Sequence, residues 1–244
     1  MQPDSAEQAM VRNAEALEGS ERLWRWNLSA FPLEPGRRIL DVGCGPCLYW
    51  REIVRLRPEL YLATDLSESF LSVARARLEG RVKILTRELD LARWQEDAWW
   101  REQRVDDAFC FDVLEHIEDD RRAARQLAAL LATVGARRLF VRVPALPGIY
   151  GQNDAAIGHF RRYSRAALRA LLEDAGLRPL TIAYHNAAGI LPWFVTGRLL
   201  RRSQAVTGGE GRLFDAAVPV LQLAERLVPP PFGLSLNAMC EIGR

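Results

Sequence analysis

Lysine is almost absent from this 244-residue chain: Lys83 stands alone among 33 basic residues, the rest being arginine. With 31 acidic residues beside them the formal net charge is only +2, and no block of like charge interrupts the mixture. Charge therefore implies neither a nucleic-acid-binding surface nor an acidic partner. Arginine bias beside abundant alanine and leucine is the imprint of a GC-rich bacterial genome rather than of phosphate binding. Cysteine is scarce too, and four in a chain of this length do not frame a disulfide scaffold. No basic stretch followed by an apolar run opens the chain, so no signal peptide is expected. The longest apolar run, AAGILPWFV, is cut by Gly189 and Pro192. It falls far short of the ~20 residues a membrane-spanning helix needs. Repeats and low-complexity tracts are absent. What remains is one domain-sized, 49% hydrophobic chain, expected to be a soluble protein of the reducing cytoplasm.

Along the chain, residues 5–31 lack strand patterning and suggest one or two helices, ended by Pro35-Gly36. Seven strands are then legible: RRILDVG, LYLATD, RVKILTREL, VDDAFCFDVL, RRLFVRVPA, LRPLTIAYH and, at the end, SLNAMCEIG. Helical segments separate the first six, except the third from the fourth. CLYWREIVRLRP stops at Pro58, ESFLSVARARLEG is capped by Ser67, DDRRAARQLAALLATVG ends at Gly135, and RAALRALLEDAG is capped by Ser164. Strands alternating with helices at this spacing predict a parallel α/β sheet, and their continuous apolar runs suit strands buried on both faces. Residues 187–233 are too long for an ordinary connection. ILPWFVTGRLLRR and RLFDAAVPVLQLAERLV, joined at Gly208-Gly209, read as a helical insertion before the last strand.

The turn after the first strand reads DVGCGPC, residues 41–47. Cys44-Gly-Pro-Cys47 is spelled like a thioredoxin-type dithiol, and Gly43-Cys-Gly45 like a ligand-binding turn. Glycines there let the chain turn sharply and let backbone approach a ligand, with helix-start N–H groups facing it. The dinucleotide fingerprint needs glycine where Leu48 stands, and the Gly-Lys-Ser/Thr of a P-loop is absent. Asp65 ends the second strand twenty residues after Gly45, where a carboxylate can accept both ribose hydroxyls of an adenosine. Its plainer role is to start a turn and cap the next helix. The two cysteines lack a second Cys or His pair at zinc spacing, so no metal site is expected from them.

Taken together these motifs resemble the class I S-adenosylmethionine-dependent methyltransferases, of the UbiE-like small-molecule kind. LDVGCG (40–45) is similar to their first motif and ATDLS (63–67) to their ribose-binding acid. ELDLARW (88–94) resembles the adenine loop, and FDVLEHIED (111–119) the loop after strand four. The likeness covers about residues 37–185 and the last strand. It implies a Rossmann-like, doubly wound, mostly parallel seven-stranded sheet with helices on both faces and an antiparallel last strand. The whole chain would form one domain: an N-terminal helical segment (1–36), a cofactor-binding core (37–186), the helical insertion (187–233) and the last strand (234–244). S-adenosyl-L-methionine would be the cofactor. Asp41, Gly43, Cys44 and Gly45 would shape the site for its methionine part. Asp65 and Leu66 would bind ribose, Asp90 and Leu91 would flank adenine, and Asp112 and Val113 would lie near the sulfonium. Cys47 departs from the pattern, because the family commonly has a third small residue there.

Methyl transfer is an in-line displacement in which the protein supplies alignment and a dry pocket. A general base is needed only if the acceptor must lose a proton. Of three histidines, His116 lies in V-L-E-H, where either packing beside Glu115 or proton transfer suits it; His185 suits surface or pocket equally. The segment 151–168 should emerge at the cofactor edge and gathers Asp154, His159, Arg161, Arg162 and Tyr163. It resembles the family's G-H-x-R-R-Y. One reading makes it a substrate lid, with His159 and Tyr163 near the acceptor and Asp154, Arg161 and Arg162 binding it. The other makes it a loop held by its own Arg–Asp pairs. The insertion with Trp193, Phe194, Arg198, Arg201 and Arg202 either packs as core, covers a lipid-like acceptor, or touches a membrane peripherally. Trp24 and Trp26 likewise either close over substrate or pack on the sheet. A small-molecule or lipid-like acceptor is the partner expected, with no nucleic acid; the oligomeric state stays open. A catalytically silent cofactor-binding scaffold on the same fold is the competing reading, and a thiol–disulfide oxidoreductase the third.

Overall fold

The computed structural model describes residues 3–202 and 208–243. Two helices come first, α1 (Pro3–Leu17) and α2 (Glu21–Ser29). The sheet then builds as β1 (Arg38–Val42), α3 (Trp50–Leu56), β2 (Leu60–Asp65), α4 (Glu68–Leu78), β3 (Ile84–Glu88), α5 (Ala98–Glu102), β4 (Asp107–Phe111), α6 (Asp120–Val134) and β5 (Arg138–Pro144). After it come α7 (Gln152–Ala156), α8 (Arg165–Asp174), β6 (Arg178–His185), α9 (Ile190–Phe194), α10 (Gly208–Leu227) and β7 (Ser235–Glu241).

The seven strands lie in the order β3-β2-β1-β4-β5-β7-β6. Pairing is parallel from β3 through β5, and β7 is antiparallel to both β5 and β6. The strand order reverses between β1 and β4, so their carboxyl ends open a crevice where this architecture takes ligands. Alternate strand residues feed two core layers. Leu40, Val42, Ala108 and Cys110 face α6 and α8, whose Leu127, Leu130, Leu131, Leu168 and Leu172 are buried there. Ile39, Tyr61, Phe109 and Phe140 face the opposite layer with Leu28, Ile53 and Leu71. Each such side chain contributes about 1.5–3 kcal/mol of burial, so the crevice sits on a stiff floor.

Several local expectations are corrected. Ser67 stands at the start of α4 but makes no cap bond. Asp65 Oδ1 accepts the Ser67 N–H instead, while the Ser67 hydroxyl donates to Glu7 of α1. Gly208 and Gly209 do not join two helices; they open α10. ILPWF forms α9 and runs into a π-helical turn, Val195–Leu199. α10 packs on the N-terminal helices, with Val218 buried against Leu23 and Trp26. Asp215 Oδ1 accepts the Leu23 N–H, and the Glu225 carboxylate accepts the N–H groups of Asn186 and Ala187. The insertion and the N-terminal segment thus form one helical cap over the crevice.

Candidate active site

A cleft of about 480 Å³ lies along the carboxyl ends of β1, β2, β3 and β4. Gly43, Gly45, Asp65, Leu66, Asp90, Leu91, Asp112 and Val113 all line it. The β1 turn is tied down from below: the Gly43 and Cys44 N–H groups donate to Thr64 O at 2.8 and 2.9 Å. Gly43 must be glycine, because a Cβ there would meet Val113 Cγ2 at 2.5 Å. Gly45 has φ +52°, a left-handed conformation that favours glycine, and a Cβ there would point into open space. Asp65 accepts the Gly45 N–H at 2.8 Å and the Ser67 N–H at 2.9 Å. Burial raises its pKa, opposed by those bonds. It holds the turn, starts α4 and still faces the cleft, so the plain role and the ligand role coexist. Asp90 Oδ1 accepts the Ala92 N–H at 3.0 Å, a turn bond, with its carboxylate still at the cleft wall.

Asp41 is a correction. It is buried, lines neither cavity, and accepts the Tyr61 hydroxyl beneath the turn. Burial pushes its pKa up to about 7. Cys44 lines the neighbouring cavity rather than the cleft, and Cys47 lines neither. Both thiols are free and buried. Burial pushes Cys44 far up and Cys47 up to about 12. Thiols so hard to ionise do not suit disulfide exchange.

The second cavity, about 350 Å³, opens from the cleft and shares Met10, Gly43, Gly45, Asp112, His116 and Ile157 with it. Asp112 stands at the junction with φ +56°, a left-handed conformation a non-glycine residue holds only under constraint. Burial raises its pKa. His116 touches both cavities, and burial pushes it down to about 3, so it stays neutral. His159 lies beside it, ring centroids 4.6 Å apart. His159 Nδ1 lies 3.0 Å from Asp154 Oδ1, a carboxylate that fixes Nδ1 as the protonated nitrogen and leaves the Nε2 lone pair free. Burial would raise Asp154, but the His159 bond and the Arg162 charge outweigh it and hold its carboxyl below the usual value. Glu115 is fully buried, with neither carboxylate oxygen hydrogen-bonded. Its Oε1 lies 3.7 Å from His159 Nε2. One ligand atom each of Glu115, His116 and His159 fall within 4.8 Å of one another, a spacing able to hold a divalent cation.

The 151–163 segment is a self-paired loop, and its Ile157, His159 and Arg162 also line the second cavity. Asp154, also fully buried, is its hub: it accepts from the Gly151 N–H, His159, Arg162 Nε and Trp193 Nε1 at 2.9–3.1 Å. A Cβ on Gly197 would meet Asn153 Oδ1 at 1.9 Å, so α7 and the π-helical turn interlock. Arg162 lines the second cavity, while its Nε and Nη1 donate to Asp154 and Ala145 O. Arg161 and Tyr163 line neither cavity. Both reach Asp120 instead, Arg161 at 2.8 Å and the Tyr163 hydroxyl at 2.9 Å. Asp154 likewise has no cavity face, so Asp154, Arg161 and Tyr163 act, where they act, through other residues. Trp24 lines the acceptor cavity, whereas Trp26 is buried against His185 at 4.7 Å. Sequence reasoning missed Met10, Asn27, Tyr49 and Arg142, which also line it. Only the helical spacing of residues 5–31 hinted that this segment would form a roof.

The profile of a methyltransferase-domain family matches residues 15–182 of the chain. A ubiquinone biosynthesis O-methyltransferase of Xanthomonas axonopodis pv. citri is 31% identical over 192 residues, covering 70% of this chain and 74% of that protein. A protein of the same name from Alkalilimnicola ehrlichii is 37% identical over 101 residues, 41% of this chain but only 39% of its own length. Among solved structures, an S-adenosylmethionine-dependent methyltransferase from Mesorhizobium loti has a TM-score of 0.58 at 16% identity, covering 92% of this chain and 99% of that one. At that identity the likeness is one of fold.

Proposed function

The chain belongs to the methyltransferase-domain family and is an S-adenosylmethionine-dependent methyltransferase of small molecules, and from that premise we propose that it methylates a hydroxyl oxygen on an aromatic acceptor. The observation that carries this reading is the His159–Asp154 dyad on a cavity opening directly onto the cofactor cleft. A sulfonium supplies an activated methyl group, so a neutral hydroxyl acceptor needs chiefly alignment and removal of its proton. His159 Nε2 would take that proton, and Asp154 would orient the ring and stabilise the imidazolium. His116, held neutral at the junction, would accept a hydrogen bond without adding a positive charge beside the sulfonium. Asp65, Gly45 and Asp90 would hold the nucleoside end. Trp24, Tyr49 and Phe111 would wall an aromatic ring. The names of the curated relatives support oxygen as the methylated atom and a ring as its carrier. Incubation with catechol and methyl-labelled cofactor should give a labelled methyl ether. Labelled N- or C-methyl products from amine or enol acceptors, with none from catechol, would sink the reading.

Glu115 favours a second reading of the same reaction. An unbonded, buried carboxylate beside two imidazoles is what a divalent cation would neutralise. The cation would bind the acceptor oxygen and lower its pKa, with His159 as ligand instead of base. Activity abolished by a chelator and restored by Mg²⁺ would select it; indifference to the chelator would retain the dyad.

The cap suggests where the acceptor comes from. No helix among the described residues is long and apolar enough to cross a membrane. The outer face of α10, however, exposes Leu213 (76%), Val220 (72%), Leu223 (58%) and Leu227 (73%) in one stripe. Arg212 and Arg226 flank it, and exposed Leu199, Leu200, Arg201 and Arg202 lie in the same insertion. An apolar stripe with arginine shoulders suits an anionic membrane surface. We read the whole chain as one cytoplasmic methyltransferase domain that works at that surface. The protein should sediment with phosphatidylglycerol vesicles, and Leu223→Glu with Leu227→Glu should cut the bound fraction at least ~5-fold without slowing turnover of a soluble acceptor. Equal sedimentation of wild type and variant would remove the surface from the account.

A further inference from the structure

The two arginines of the G-H-x-R-R-Y loop each have a carboxylate already, Arg161 with Asp120 and Arg162 with Asp154. Arg142, in the middle of β5 and only 3% exposed, also lines the cavity and has no carboxylate within ion-pair distance among the described residues. Its Nε donates to Asn237 Oδ1 at 3.1 Å and its Nη1 to the Tyr49 hydroxyl at 3.0 Å. Its Nη2 has no partner, and neither has Asn237 Nδ2. The Tyr49 oxygen, having accepted from Arg142, still carries its own proton, which burial holds by pushing the pKa up to about 12. No acceptor for that proton exists among the described residues. Arg142 and Tyr49 line the cavity, each with a donor that nothing among the described residues receives, and the guanidinium forms no ion pair among them. A buried charge left in this state is costly, and an acceptor oxygen of opposite charge removes the cost. His185 below stays neutral, through burial and then the Arg142 charge, so no second cation competes.

The walls say what carries the anion. The Tyr49 ring lies 5.2 Å from Trp24 and 5.6 Å from Phe111, an aromatic collar around the guanidinium. Asp112 lines both cavities and is a sheet neighbour of Arg142, its N–H donating to Arg142 O at 2.9 Å. An acceptor whose anion meets Arg142 would share the cavity with His116 and His159, which line it too.

We propose that the acceptor carries a carboxylate, received by Arg142 with Tyr49 as a further donor, while Asn237 holds Arg142 Nε. This deepens the reading of an aromatic acceptor given above and rests on it only for the methylated end. The test therefore separates binding from turnover. Full-length protein saturated with S-adenosylhomocysteine is titrated with benzoate and with benzyl alcohol, ring compounds of similar size with and without the charge. Wild type should bind benzoate at least ~10-fold more tightly, the expected scale for a charge-assisted bidentate site. Arg142→Met should erase that preference while keeping benzyl alcohol and S-adenosylhomocysteine affinity, and Arg142→Lys should restore part of it. Tyr49→Phe, which keeps the aromatic collar, should weaken benzoate alone; it serves where Arg142→Met does not fold. In turnover, 3,4-dihydroxybenzoate should beat catechol through KM rather than kcat. If no dihydroxybenzene is methylated but benzoate is preferred through Arg142, the hydroxyl reading falls and this one stands. Undetectable benzoate binding, equal binding of the two compounds, or a preference that survives both Arg142→Met and Tyr49→Phe overturns the proposal.

Discussion

Replacing His159 with alanine should lower kcat by about 10²–10⁴-fold, the range lost with a positioned general base, while S-adenosylmethionine affinity stays within about twofold. The second half of that expectation follows from where the ring lies. His159 lines the acceptor cavity but not the cofactor cleft, so its removal leaves the nucleoside contacts untouched. The first half follows from the dyad: only an imidazole whose Nδ1 is committed to Asp154 offers Nε2 to an acceptor proton. Asp154→Asn is a less clean probe, because Asp154 also secures Gly151, Arg162 and Trp193. Its loss should lower the melting temperature as well as the rate, whereas His159→Ala should affect chiefly the rate. Glu115→Gln discriminates the two mechanistic readings. It should be tolerated if His159 is the base, and should be as damaging as His159→Ala if a cation sits among Glu115, His116 and His159. Single-turnover rates with catechol measure all three variants. Wild-type turnover by His159→Ala would remove the histidine from the chemistry altogether.

The sheet was legible because its signals are local. Continuous apolar runs of five to eight residues, Gly135 ending α6 and Ser164 capping α8 each depend on a few neighbouring residues, and alternation with helices implies parallel pairing. The wall of the cleft follows from that pairing: Gly43, Gly45, Asp65, Asp90 and Asp112 all sit at strand ends, and one edge of a parallel sheet brings such ends together. The acceptor side was not, because long-range pairing builds it. Arg142 looked like a strand residue, and what matters about it is that its partners Asn237 of β7 and Tyr49 at the start of α3 leave Nη2 unbonded. Tyr163 and Arg161 looked chemical by type, yet Asp120, some forty residues earlier, takes both. Asp41 belonged to a recognisable motif but points under the turn, where Tyr61 receives it. The short helices α5 and α7, five residues each, carry too little periodicity to be seen. The roof needed α1, α2 and α10 to find each other across nearly the whole chain.

Gly45→Val should reduce S-adenosylmethionine affinity by two orders of magnitude or more, whereas Cys47→Gly should leave it within about threefold. Both residues hold left-handed backbone, φ +52° at each, so conformation alone does not separate them. The direction of the side chain does. A Cβ on Gly45 meets nothing within 4 Å, and Gly45 lines the cleft. A branched side chain there adds about 1–3 kcal/mol of backbone strain at the cleft wall. Cys47 instead turns its thiol into the core beneath the loop, 2% exposed, in the layer that holds Ile53 and Tyr61. Its left-handed backbone, φ +52°, is one that glycine holds without strain. Substituting glycine relieves strain of order 1–3 kcal/mol but gives up a small buried side chain worth about 1 kcal/mol, so the net change in stability is close to zero and cofactor contact is unaffected. The thiol is thus a tolerated replacement with no redox role, consistent with the raised pKa values of both cysteines, and insulin reduction by the protein should be undetectable. Calorimetric titration of the two variants with S-adenosylmethionine decides the matter: tight binding by Gly45→Val, or lost binding by a folded Cys47→Gly, would mean that the cofactor does not rest on this turn.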